Sequence, residues 1–394
     1  MNKNLPPLTR RFLALLLLPS ISLWGASMHS ADQPGGGSAT NSPDKSPSER
    51  EQNGLRGPVK SSIEEARYPA WTSSDGTLIP ENRSIQKVEY DEQGRTLKTI
   101  YHNPDGSQWV RKYSYDSTGK LLKISQGVEG QPAVEAVYSY DEQGRLRAIA
   151  DSAHPGSSAS VRYDQSGRKT KVQVARAEDY VPNVGVAGDP FERANAPNLP
   201  GGGSVVTVYD EHDRPVEVQT MDREGELMSR AVRTYDERGN IVEEKEILEK
   251  AETLIPADAR AQILETSGVT GEQLRAEIMK LMGGQSSPYA TSHLYDAQGR
   301  EVQKVQRMFH DVEATESLYN EHGDKSAEIT RGSKLGGDED EKAQPAYSEV
   351  RFSYQYDARG NWTEKVTTRC SAPCSGPNGA FEAQSATRRT LTFF

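Results

Sequence analysis

Tyr90-Asp91-Glu92-Gln93-Gly94-Arg95 returns letter for letter at Tyr140-Asp141-Glu142-Gln143-Gly144-Arg145. Looser copies begin at Tyr115, Tyr163, Tyr209, Tyr235, Tyr295, Tyr319 and Tyr356. Self-similarity of this kind marks a repeat architecture, in which each unit buries its apolar surface against its neighbours. Within a copy, Asp accepts a backbone N–H two residues on, and the Gly takes a positive φ at no steric cost. The pair fits a type I turn followed by a left-handed residue and a G1 bulge, a closure for a β-hairpin. The predicted turn pairs are Asp91 with Gly94, Asp116 with Gly119, Asp141 with Gly144, Asp164 with Gly167 and Asp210 with Asp213. They continue as Asp236 with Gly239, Asp296 with Gly299, Asn320 with Gly323 and Asp357 with Gly360. Asp213 stands where Gly is expected, and Asp tolerates the left-handed region. Asn320 replaces the leading Asp and makes the same side-chain turn.

Spacing sets the unit. Asp91, Asp116 and Asp141 are 25 apart, Asp164 follows 23 later, and Asp210 lies 46 beyond, as two units with one motif lost. A second turn signal falls between copies, at Asn103-Pro104-Asp105-Gly106, Gly127-Val128-Glu129-Gly130 and Asp222-Arg223-Glu224-Gly225. One unit is therefore strand, turn, strand, turn. Tyrosines two apart, such as Tyr113 with Tyr115, share a strand face and form a ladder across hairpins.

These copies and their period resemble the RHS/YD-repeat family, over roughly residues 54–394 apart from three inserts. In large members of that family, the resemblance implies, long sheets spiral into a shell around a toxin or display a binding surface. This chain has too few repeats for a closed cavity on that reading, and no toxin-sized segment follows the last repeat. The expected fold is mainly β: an antiparallel meander of hairpins forming a curved or solenoid-like sheet, with an inserted helical hairpin.

The N-terminus reads as an address. Lys3, Arg10 and Arg11 precede an apolar stretch at residues 12–24, too short to span a bilayer and right for a signal-peptide core. Cleavage is expected after Ser27, by Sec or twin-arginine export, delivering the chain to the periplasm or beyond. Removing residues 1–27 takes the formal charge from −10 to −13, which argues against nucleic acid and anionic membrane as partners. No second apolar run is long enough for a transmembrane helix. Residues 28–53 read as a disordered linker and 54–394 as the repeat domain. Cys370 and Cys374 are the two cysteines, and in an exported protein they read as a disulfide.

Three inserts interrupt the repeats. Residues 175–204 form a Pro- and Gly-rich loop, and residues 332–346 an acidic loop without EF-hand spacing. Residues 247–284 switch to a period of 3.6, with a capping box at Thr270-Gly271-Glu272-Gln273 and a stripe at Leu274, Ile278, Leu281 and Met282. That helical hairpin is expected to cap an open sheet edge or face, or to dock a partner.

Enzyme signatures are missing: there is no zinc-protease His motif, nucleophile elbow or phosphate loop. The seven histidines are scattered, and no catalytic residue, metal site or cofactor is assigned. Trp109, Tyr113 and Tyr115 share a strand face and form a candidate ligand face, on which sugar rings stack. The expected function is non-catalytic: an envelope or extracellular scaffold binding glycan or protein. The alternative is a secreted hydrolase with paired carboxylates on the concave face.

Overall fold

The computed structural model describes residues 48–72, 76–103, 105–152, 158–175, 203–249, 257–281, 287, 289–308, 311–334, 344–370, 374 and 380–394. The predicted signal peptide and most of the linker lie outside them, as do 176–202 and 335–343 of the first and third inserts.

Three helices are described: α1 (Glu49–Gln52), α2 (Ala257–Ser267) and α3 (Gly271–Leu281). The first strands are β1 (Val59–Tyr68), β2 (Trp71–Thr72), β3 (Leu78–Ile79), β4 (Asn82–Tyr90), β5 (Thr96–His102), β6 (Gln108–Tyr115), β7 (Leu121–Val128) and β8 (Val134–Tyr140). Then come β9 (Leu146–Asp151), β10 (Ser158–Tyr163), β11 (Lys169–Ala175), β12 (Gly203–Tyr209), β13 (Pro215–Met221), β14 (Leu227–Tyr235) and β15 (Ile241–Leu248). The chain ends with β16 (Tyr289–Tyr295), β17 (Glu301–Met308), β18 (Asp311–Tyr319), β19 (Lys325–Lys334), β20 (Gln344–Tyr356), β21 (Trp362–Cys370) and β22 (Glu382–Phe393).

β4 to β22 pair in chain order, every neighbour antiparallel, and β1 pairs with both β4 and β22. The result is a closed barrel of 20 strands, with β2 and β3 as a separate ribbon. This corrects the expectation of an open, solenoid-like sheet too short to close. The first strand is not a terminal edge; it is the seam that joins the last hairpin to the first. At ~4.8 Å per strand the wall is roughly 95 Å around before tilt, a girth too wide for side chains to fill. Among the described residues the buried apolar clusters accordingly join adjacent strands: Val205, Val218 and Ala231 in one, Val161, Val172 and Val174 in another.

Every Tyr-Asp turn lies on one rim, because it always follows an even-numbered strand of the up-and-down order from β4 to β22. The longer connections, from β1 to β4, β11 to β12, β15 to β16, β19 to β20 and β21 to β22, all leave and re-enter the wall at the opposite rim. The interval from Asp164 to Asp210 does not hide a lost hairpin. β11 pairs directly with β12, Lys171 opposite Val206, so the extra length is one insert. Its last residues, Gly203 and Ser204, already belong to β12, and the acidic insert likewise starts in β19 and ends in β20.

α2 and α3 occupy the predicted helical insert. The Thr270 N–H donates to Gln273 Oε1 at 2.9 Å and the Gln273 N–H to Thr270 Oγ1 at 3.2 Å, the reciprocal cap read in the sequence. Leu274 and Ile278 are buried. A closed barrel has no open edge for this hairpin to cap, which leaves covering a sheet face or docking a partner.

The described residues begin at Ser48, within the segment read as linker, and Ser48 to Asn53 are already folded against the barrel. Ser48 caps α1, Arg50 N–H donates to Gly94 O at 2.9 Å, and Asn53 Nδ2 donates to Tyr90 Oη at 3.0 Å. Leu55 and Val59 are buried against Tyr90. On the other side of the seam, Asn361 Oδ1 accepts the Arg56 N–H at 2.6 Å. Residues 48–58 thus bridge the place on the rim where a further Tyr-Asp turn would join β22 to β1.

Lower in the seam, Arg389 stacks on Trp362 at 3.4 Å and pairs with Glu64 across β1 and β22 at 2.7 Å. Arg389 is 7% exposed and Glu64 34%, so the carboxylate keeps some water if abandoned. Arg389→Ala is expected to cost about 2 kcal/mol, read by denaturant titration. Hydrogen exchange should quicken first in β1 and β22 while β13 and β14 stay protected. Uniform quickening around the wall would mean that the seam is no weaker than the rest.

Candidate functional site

The Tyr-Asp turns share one geometry. In the first, Gly94 N–H donates to Asp91 O and Asp91 N–H to Arg95 O, both at 3.0 Å, and the strand pairing shifts register at Tyr90. Asp91 Oδ1 accepts the Arg95 N–H at 2.9 Å, and Oδ2 accepts Arg95 Nε at 2.6 Å. Gly94, Gly119, Gly144, Gly167, Gly239, Gly299, Gly323 and Gly360 all have positive φ, and Asp213 stands at φ 61°. The leading residues Asp116, Asp141, Asp164, Asp210, Asp236, Asp296, Asn320 and Asp357 each accept the N–H four residues on.

What the motif does not disclose is how copies join. The tyrosine hydroxyl donates to a backbone carbonyl just after the preceding turn. Tyr115 reaches Thr96 O at 2.8 Å, Tyr140 Leu121 O at 2.6 Å, Tyr163 Leu146 O at 2.9 Å and Tyr209 Lys169 O at 2.7 Å. Tyr235, Tyr295 and Tyr319 reach Pro215, Ile241 and Glu301 in the same way. The last residue of the preceding motif then lies over that tyrosine ring: Arg95 on Tyr115, Lys120 on Tyr140, Arg145 on Tyr163, Arg168 on Tyr209, Arg214 on Tyr235 and Arg300 on Tyr319, at 4.6–5.6 Å. In the five arginine joints a carboxylate, the guanidinium and the ring stand in a row, closed by a hydroxyl bond; Lys120 lies over its ring without an ion pair to Asp116.

Three joints lack that cation. At Tyr356 the hydroxyl donates to Asp324 Oδ2 at 2.7 Å, and His322 stacks on the ring at 3.9 Å. At Tyr90 the N-terminal strap covers the ring. At Tyr295 the preceding motif ends in Asn240, whose Nδ2 donates to Asp236 Oδ2 at 2.9 Å. A cleft of about 430 Å³ opens there, lined by Asp236, Asn240, Val242, His293, Tyr295 and Asp296 among others. His293 Nδ1 lies 2.5 Å from Glu301 Oε2. Burial works against the charge of Glu301, yet the His293 bond with Lys304 and Lys325 leaves its carboxyl below the usual range. The Asn240 hydrogen bond lowers Asp236, and contacts from Arg300 lower Asp296 against burial.

The predicted ligand face divides. Trp109, Tyr113 and Tyr115 do share the more shielded face of β6, but Tyr115 is committed to the joint. Trp109 faces Tyr101 of β5 at 5.6 Å, with the Arg111 guanidinium 5.1 Å from its ring and Arg111 Nε donating to Gln126 Oε1 at 3.0 Å. Burial raises Tyr101 and Tyr138, both coupled to Arg111 and Tyr113. Tyr101 and Tyr138 therefore complete an aromatic patch that the sequence spacing within one strand could not reveal; only register across β5 to β8 assembles it.

Cys370 and Cys374 form a disulfide, with Cα atoms 6.4 Å apart, closing the loop after β21. Among the described residues no group of three or more His, Cys, Asp or Glu is placed to hold a metal. No described helix is long and apolar enough to cross a membrane. Charges stand on both faces of the wall: Arg111, Arg233, Glu244 and Lys304 on the tyrosine side, and Lys112, Glu217, Lys245 and Arg351 on the other. A lipid-facing barrel carries an outward apolar band about 25 Å tall, and neither face here supplies one.

The fold and its joints define a closed antiparallel barrel of Tyr-Asp hairpins. The Teneurin YD-shell family model matches residues 67–186, a YD-repeat family, in agreement with the resemblance read from the motif. None of the curated proteins compared with the chain matches it. Among solved structures, a porin-like protein from Bacteroides uniformis is 9% identical over 85% of this chain and 98% of its own, with a TM-score of 0.30. A porin-like protein from Bacteroides vulgatus is 9% identical over 85% and 98%, at 0.15, and MucB in complex with MucA(peri) is 10% identical over 84% and 88%, at 0.11. At these scores the likenesses carry no argument about fold or function.

Two measurements test the joint. Tyr235→Phe keeps the ring and its Arg214 contact but loses the bond to Pro215 O, and should cost about 1 kcal/mol by denaturant titration. A loss near zero would leave the hydroxyl incidental. Burial also raises Tyr115, Tyr163, Tyr209, Tyr235 and Tyr319 above the ordinary tyrosine value. A raised folded pKa means the stability is intact below the unfolded value near 10 and is lost as pH climbs through the folded values. A pH titration by circular dichroism should show cooperative unfolding beginning above about pH 10; strands persisting to far higher pH would contradict the assignment.

Proposed function

We propose that the protein is a non-catalytic, exported shell that binds a glycan or protein partner, with the aromatic patch of β5 to β8 as its glycan-binding element. The observation that carries this reading is the cluster of Tyr101, Trp109, Tyr113 and Tyr138 beside Arg111 and Gln126. Unlike Tyr115, these rings are not spent on joining repeats. Aromatic faces flanked by fixed polar groups suit the stacking and hydrogen bonding of a sugar. Export is supported by the N-terminal signal pattern and by the disulfide, which persists in oxidising compartments.

The hydrolase reading has less behind it. A glycosidase-type pair needs one carboxyl that keeps its proton near neutral pH. The two turn carboxyls of the cleft, Asp236 and Asp296, are both held below the usual carboxylate range, the wrong direction for an acid.

Glycan-array binding by the protein, lost in the Trp109→Ala, Tyr113→Ala double variant with an unchanged circular dichroism spectrum, is the expected result. Absence of any glycan ligand, or equal binding by the folded double variant, would return the patch to a packing role.

A further inference from the structure

The repeat supplies a template for what belongs at Tyr295. Six joints place an Arg or Lys over the tyrosine ring. His322 fills a seventh and the N-terminal strap an eighth. At the ninth, Asn240 is too short to reach the ring, and no cation of the described residues lies over Tyr295. The cleft opens at that joint.

From this geometry we infer that the cleft is a receptor site for a guanidinium group, supplied by an arginine side chain of a partner polypeptide. The carboxylate of the joint remains in place. Asp236 Oδ1 accepts backbone N–H groups of Arg238 and Asn240 at 2.9 and 2.8 Å, so its orientation is that of the other repeats. Its Oδ2, which in Asp210 and Asp296 accepts the arginine Nε at 2.8 Å, here meets only the neutral amide of Asn240 at 2.9 Å. The Tyr295 hydroxyl is tied to Ile241 O at 2.9 Å, which holds the ring still as one wall. The His293 ring stands 6.3 Å from it, inclined by 22°, with its Nδ1 fixed by Glu301. Arg238 does not take the vacant place. It bridges the turns instead, donating to Asp296 O at 3.5 Å and Ala297 O at 3.4 Å. An incoming guanidinium gains the carboxylate on one side and the ring on the other, the pair of contacts that the five arginine joints already make.

The test uses the full-length protein and small probes. N-acetyl-arginine methylamide should shift the His293 and Tyr295 ring resonances saturably in NMR, and its neutral isostere N-acetyl-citrulline methylamide should bind at least roughly tenfold more weakly. Asp236→Asn, which keeps the turn acceptors, should lose the arginine response. Asn240→Arg should supply the cation internally, raise the melting temperature and abolish probe binding, a gain that cannot be mistaken for misfolding. Equal response to both probes, no response to either, or an Asn240→Arg variant that still binds would overturn the proposal. So would a saturable response to N-acetylglucosamine in place of arginine, since the cleft would then be a sugar site. The aromatic patch is several strands away, so failure here leaves the glycan test untouched.

Discussion

A tyrosine hydroxyl donating to the carbonyl of the hairpin before it is the contact on which the barrel depends. A lone hairpin in water is marginal, and the buried apolar clusters among the described residues of this wall are small, two within β10 to β14 and one at the seam. The Asp-cation-Tyr row, repeated along one rim, reinforces the backbone ladders that pair each hairpin with the next. Each row aligns a strand pair with the next, and the register shift beside each tyrosine sets the height at which the ring crosses. Polar bonding of modest individual strength thus replaces a central core, by repetition.

Closure follows from the same geometry. Antiparallel hairpins added in chain order must curve with the sheet twist, and once the girth brings β22 back to the start, the exposed edges vanish together. The N-terminal strap contributes the one joint that no repeat can supply. It seals Tyr90 on one side and meets Asn361 on the other. The division of the rims has consequences for function. One rim carries the Tyr-Asp joints, while the longer connections between strands leave and re-enter the wall at the other. Variation in those connections leaves the stitching untouched.

The exceptions to the pattern are as informative as the rule. Asp213 shows that left-handed backbone, not glycine itself, is what the turn requires. Asn240 shows that the sixth residue can change without loss of the turn, since its amide still bonds Asp236. The price is an uncovered ring at Tyr295.

Turn chemistry was legible in the residues because it is local: an Asp, a Gly three residues on, and the hydrogen bonds between them span only the motif itself. The same holds for the capping box at Thr270 and the short Cys370–Cys374 loop. Sequence distance hides the rest. Whether Val59 pairs with Phe393, and so whether the sheet closes, depends on the accumulated twist of every strand between them. The meeting of Tyr101 with Trp109, and of His293 with Glu301, likewise depends on strand register. Local spacing determined the hairpins; only the assembled wall decided which side chains stand face to face, because those neighbours are chosen by pairing between strands and not by order along them.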